Sequence, residues 1–138
     1  MPGIVVDASV SAAWFLPDES TPFTEAALQA TADGDVWVPT LWLLEIGNLM
    51  LNAQRRKRIN EPKRRELIAA ASALRLHIDR EPVAMDTLDA LASRHGLTTY
   101  DAVYLELALR RALPLATLDK VLLAAMVATG VTRPRLVD

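Results

Sequence analysis

The chain has 138 residues, enough for one domain, and 51% of them are hydrophobic, so it can bury a sizeable core. It contains no cysteine, which excludes disulfides, thiolate zinc sites and cysteine nucleophiles and suits a reducing compartment. The net charge of −2 conceals an asymmetry: residues 1–54 carry seven acids and no Lys or Arg, whereas residues 55–65 (RRKRINEPKRR) carry seven bases and one acid.

Residues 3–6 (GIVV) form a short apolar run ended by Asp7, the pattern of a buried strand. Residues 8–16 predict a helix stopped by Pro17, and Ser20 or Thr21 caps a second one that opens on Pro22 and runs to about Thr31. Asp33–Gly34–Asp35 is a turn, and residues 36–38 (VWV) predict a second strand. Thr40 is expected to cap the long apolar helix that follows. Asn60 caps the next helix, which runs to about Leu76. Residues 77–82 read as a weak strand or connector, and residues 86–95 as a helix closed by Gly96. Thr98 or Thr99 caps residues 100–112. Residues 114–117 predict a short strand, and a helix runs from about Asp119 to Thr129. The tail, VTRPRLV, is expected to add an edge strand. Short strands alternating with helices predict an α/β fold around a mainly parallel sheet.

No apolar run reaches the roughly 18 residues that a spanning helix needs. The N-terminus (MPGIVVDASV) lacks a basic region and carries an acid at position 7, so no signal peptide is expected, and the protein is expected to be cytoplasmic with no membrane partner. The basic block at 55–65 reads either as a solvated turn between two helices or as a patch that meets phosphate.

The informative residues are acids in apolar surroundings. Asp7 follows a strand, at the end where α/β sheets bind ligands, and would equally cap the helix after it. Glu45 is the only charged residue between 41 and 51 (LWLLEIGNLML), a helix so apolar that little of it is expected to face water. A lone buried carboxylate is costly unless it is paired or binds a metal. Asn48, one turn on, shares its face and is placed to orient it. Asp101 lies in the first turn of its helix, where the dipole favours an acid. Glu106 points about 140° away from Asp101 and reads as a surface residue. Asp119, like Asp7, stands just beyond a strand. Four carboxylates brought together do not all stay ionised without a cation, and oxygen ligands suit Mg²⁺ or Mn²⁺. Such an ion polarises a phosphoryl oxygen and acidifies bound water. His77 and His95 read as surface residues, and neither a P-loop nor GxGxxG occurs.

Four segments carry a resemblance that covers the whole chain: IVVDASV at 4–10, PTLWLLEIGN at 39–48, LTTYDAVYLELA at 97–108 and LATLDKVLLAA at 115–125. Together, in this order and spacing, they resemble a PIN-domain ribonuclease of the VapC toxin type. The resemblance implies a single PIN domain over 1–138, a compact α/β/α sandwich with a parallel sheet. It also implies a metal-dependent endoribonuclease that cuts RNA, a homodimer, and a small cognate antitoxin that binds near the acidic mouth. Asp7, Glu45, Asp101 and Asp119 fall on the family's acidic quartet, as catalytic residues and metal ligands for Mg²⁺ or Mn²⁺. Ser9 and Thr117 fall on hydroxyl positions beside it, where local capping explains them equally well. Tyr104 is expected to reach the core and Tyr100 to stay near the site. The fourth acid is the family's most variable, so Asp119 is expected to complete a second ion site or only to orient a water.

Two rivals stand beside this reading: a PIN-like module that binds RNA or a partner without cutting, and a PIN-type DNA nuclease. A dehalogenase-type phosphatase would need DxD where this chain has Asp7–Ala8–Ser9.

Overall fold

The computed structural model describes residues 3–137. Four strands, β1 (Ile4–Val6), β2 (Val36–Pro39), β3 (Leu76–Asp79) and β4 (Leu115–Ala116), make one parallel sheet in the order β3-β2-β1-β4. Among the described residues, seven helices flank it: α1 (Ala8–Phe15), α2 (Pro22–Ala32), α3 (Leu41–Arg55), α4 (Glu61–Ala73), α5 (Met85–His95), α6 (Thr99–Arg111) and α7 (Lys120–Thr129). A single 3₁₀ turn, Pro17–Glu19, joins α1 to α2. The expected α/β fold with a parallel sheet is therefore present. Among the described residues, no helix is long and apolar enough to cross a membrane.

Chain order explains where a site can form. The chain lays down β1, β2 and β3 in one direction across the sheet, then returns to place β4 on the free side of β1. The order reverses at the β1–β4 pair, so the segments leaving these strands diverge and open a crevice at their carboxyl ends. All three residues of β1 are buried, as in a strand covered on both faces. Around it pack Val10, Val36, Val38, Trp42, Ile46, Met50, Leu105, Leu115, Leu122 and Met126.

Local chemistry sets most element ends as expected. Thr21, ahead of Pro22, and Thr24, in the first turn, form a reciprocal capping box. Asn60 accepts from the Lys63 N–H, Thr98 from the Asp101 N–H, and Gly96 and Gly130 stop α5 and α7 in the left-handed region. Three expectations need correction. Thr40 makes no side-chain cap; it lies in the helical region, and α3 begins at Leu41. The strand β3 spans 76–79, because α4 ends at Ala73 and leaves Leu76 free to pair with Val36. Among the described residues the tail forms no edge strand and accepts one backbone bond from the sheet, from the Leu115 N–H to the Thr132 carbonyl (3.0 Å). Pro134 lacks the N–H that a continuing ladder would use.

The basic block is the α3–α4 turn with its flanking helix ends. Arg58 pairs with Asp18 (3.1 Å), Lys63 with Glu66 (3.5 Å) and Arg65 with Glu61 (2.9 Å).

One buried acid was invisible to pattern reading. Asp79, at the end of β3, is 6% exposed and accepts from both Arg110 (2.7 Å) and Arg111 (2.9 Å) at the end of α6. Glu106, expected at the surface, is half-buried in the same cluster and pairs with Arg110 (2.9 Å). The Arg110 hydrogen bond, with Arg111 assisting, holds the Asp79 carboxyl below its ordinary range although burial opposes this. A depressed folded-state value adds stability that is fully present above the unfolded value of about 3.9 and is lost as pH falls through the lower folded value. Asp79→Asn should lower stability at neutral pH by about 2–3 kcal/mol and flatten the part of the acid-unfolding curve below about pH 4, as read by circular dichroism in urea.

Candidate active site

The crevice at the β1–β4 junction is built from Asp7 outward. Asp7 is 3% exposed and caps α1, with Oδ1 accepting from the Val10 N–H (3.2 Å) and the Ser9 hydroxyl (2.6 Å). Its Oδ2 accepts from the Thr117 hydroxyl, which reaches across from the end of β4 (2.5 Å). Three of the carboxylate's roughly four lone-pair directions are thus engaged, and one on Oδ2 remains. The two hydroxyls also accept backbone bonds: Ser9 from the Leu118 N–H (2.9 Å) and Thr117 from the Asp119 N–H (3.0 Å). Ser9 and Thr117 therefore tie the first turn of α1 to the start of α7. For Asp7 the capping and site readings describe one arrangement. Burial pushes its carboxyl above the ordinary range, and the hydroxyls and backbone N–H groups hold that rise back.

Glu45 is half-buried on α3, and its Oε1 accepts from the Tyr104 hydroxyl of α6 (2.6 Å). This bond answers two questions at once. An acid in an apolar helix lacked a partner, and a buried tyrosine needs one for its hydroxyl. The two were 59 positions apart, and no local pattern linked them. Burial raises the Glu45 carboxyl, the Tyr104 bond lowers it, and the charge of Asp7 raises it again. Tyr104 is pushed up first by burial, then by the same bond. The α3 helix is less buried than expected, since Leu43 and Leu44 are 46% and 68% exposed. Asn48 lines the same groove as Glu45 but makes no hydrogen bond to it.

Asp101 stands in the first turn of α6, half-buried, with no hydrogen bond to its carboxylate among the described residues. Burial, then the charges of Asp119, Asp7 and Glu45, push it up to about 6. The charges of the other three predicted acids thus all act on Asp101. Asp119 caps α7 through the Leu122 N–H (2.9 Å). Among the described residues, no three His, Asp or Glu side chains already stand close enough to grip one ion. Their chemistry, carboxylate oxygens at the end of a sheet, suits hard divalent cations. His77 lies elsewhere, stacked on Trp37 with Nε2 against the Gly34 carbonyl (2.6 Å).

Residues 4–126 match the family described as PIN domain. The chain belongs to the PIN-domain family. PIN domains are typically nucleases, and those nucleases generally use divalent metals. A solved PIN-domain neighbour is PAE2754 from Pyrobaculum aerophilum. It is 26% identical, with a TM-score of 0.68 over 90% of this chain and 79% of that one. No curated protein matches the sequence. In this PIN domain the sheet reversal and the acidic mouth coincide.

The raised Asp101 value carries a stability consequence. The folded value lies above the unfolded one, so the charged form is the poorer one in the fold, and metal-free protein gains stability as pH falls from about 6 towards the unfolded value of about 3.9. Asp101→Asn should therefore raise the melting temperature of metal-free protein at pH 7, by about 1–2 kcal/mol of stability, and remove this pH dependence in thermal scans. In metal-free protein, Tyr104→Phe should move the Glu45 titration upward, as followed by carboxyl-carbon NMR, because the bond that lowers it is gone.

Proposed function

We propose that this PIN domain is a Mg²⁺- or Mn²⁺-dependent endoribonuclease and the toxin of a VapBC-type pair, acting in the cytoplasm. The observation that supports this best is Asp101: a half-buried carboxylate that, among the described residues, has no hydrogen-bond donor and is pressed on by three other acids. Such a cluster is costly unless a cation completes it.

Asp7, Glu45 and Asp101 would hold the ion, with Asp119 assisting. When bound, the ion supplies charge to a phosphoryl oxygen and lowers the pKa of a water. The chain's own residues do the rest. Ser9 and Thr117 fix the Asp7 carboxylate and leave one Oδ2 lone pair unengaged. Tyr104 holds Glu45 by one oxygen and leaves the other for the site. Asp119, with one oxygen on the Leu122 N–H, keeps the second to orient the attacking water and accept its proton. The resemblance to VapC-type sequences supports RNA as substrate, a homodimer, and an antitoxin whose Arg or Lys enters the acidic mouth.

Asp101→Asn is the cleanest test, because among the described residues that carboxylate holds no hydrogen bond, whereas Asp7 caps a helix. Cleavage of total RNA in Mg²⁺ or Mn²⁺ should stop in EDTA and fall by roughly two orders of magnitude or more in Asp101→Asn, with an unchanged circular dichroism spectrum. Full activity in that variant overturns the site assignment, and cleavage of DNA alone overturns the substrate. Expression should arrest growth, and coexpression of a short neighbouring reading frame should relieve it. Growth that never slows removes the toxin role.

A further inference from the structure

A groove of about 450 Å³ opens from the acidic mouth and runs along α3, between Glu45, Asn48 and Asn52 on the helix and Tyr100 on the other side. Leu41, Leu44, Glu45, Asn48 and Asn52 recur at three- and four-residue spacing, so they form one stripe. The same stripe continues to Arg55 and Arg56. From Glu45 to Arg55 the axis runs about 15 Å, the span of a few nucleotides.

The two ends of this stripe differ in a way that suits a polyanion. Four of the seven bases in the block are engaged: Arg58, Lys63 and Arg65 pair with acids, and Arg64 donates to Gln54 (2.5 Å). Arg55, Arg56 and Lys57 are exposed and, among the described residues, pair with no acid. At the other end, Tyr100 is 60% exposed beside Asp101, and among the described residues its ring meets no aromatic or cationic group. An exposed aromatic ring is a stacking platform for a base, unpaired arginines hold phosphates, and amides between them reach base edges or a 2′-hydroxyl.

We infer that a single-stranded RNA substrate lies along α3, with one base stacked on Tyr100 next to the cut site and backbone phosphates held by Arg55 and Arg56. This inference rests on the nuclease reading above and adds positioning residues to it. It also separates the basic block into two parts. Arg55 and Arg56 face the substrate, and the α4 bases serve the fold.

The test measures binding of a fluorescein-labelled single-stranded RNA oligonucleotide by anisotropy and cleavage of a fluorogenic version in Mn²⁺. Tyr100→Ala should raise KM about ten-fold with little change in kcat, and Tyr100→Phe should restore it. The double variant Arg55→Ala/Arg56→Ala should weaken binding and make the slope of log K against log salt shallower by roughly 1.4, as expected for two lost single-strand phosphate contacts. Lys63→Ala/Arg65→Ala, as a control, should leave both unchanged. If wild-type protein cuts RNA and the Tyr100 and Arg55/Arg56 variants match it in KM and salt slope, the RNA path is overturned and the groove belongs to another occupant, such as a partner protein. If wild-type protein binds the RNA through these residues but never cuts it, the path stands and the nuclease reading fails. If it neither binds nor cuts, both fail.

Discussion

The hydrogen bond from Thr117 to Asp7 is the interaction on which the rest of the site depends. β4 is only two residues long and pairs with β1 through two register positions. A ladder that short does little to fix the angle at which the following helix leaves. The hydroxyl of Thr117, buried and donating to Asp7 while accepting from Asp119, joins the ends of the two strands beyond the last backbone pair. Ser9 makes the reciprocal link, donating to Asp7 and accepting from Leu118. The result is a polar network centred on the buried Asp7 and Thr117, in which each hydroxyl both donates and accepts and so constrains the others. It sets the separation between Asp7 and Asp119, the two acids that follow strands.

The other two acids depend on how α6 is held. Midway along it, Tyr104 bonds to Glu45 on α3. At its end, Arg110 and Arg111 converge on Asp79 of β3, and the Arg111 guanidinium lies over Trp37 of β2 (3.9 Å). One helix is thus anchored to a neighbouring helix at its middle and to two strands at its end. Asp101 sits in the first turn of that helix, and the anchoring keeps it among like charges that it would otherwise escape. Holding a carboxylate in such company costs stability, and functional sites are where that cost is tolerated.

Much of the fold was readable because its signals are local. A Thr, Asn or Asp before a helix, a glycine after one and short β-branched runs act within a few residues, and Thr21, Asn60, Thr98, Gly96, Gly130 and the strands around Val5, Val36 and Leu115 behave as their chemistry predicts. Errors came where local pattern and long-range packing disagree. Leu43 and Leu44 look like core residues, yet the sheet covers only the opposite side of α3, where Trp42, Ile46 and Met50 lie. Asp79 looks like an ordinary strand-end acid, yet it closes a buried ion cluster with residues some thirty positions away.

What the sequence alone determined was the set of unusual residues: four acids in apolar or capping positions, a tyrosine in a buried helical register, and a basic block after an acidic half. Hydrophobic pattern and capping chemistry are properties of neighbouring residues, so they survive without coordinates. Only the tertiary structure decided which of these residues meet. The return of the chain from β3 to the far side of β1 brings Thr117 to Asp7, and the packing of α6 on the sheet and α3 brings Tyr104 to Glu45. Those pairings lie 110 and 59 residues apart in the chain, and strand order, not sequence spacing, controls distances of that kind.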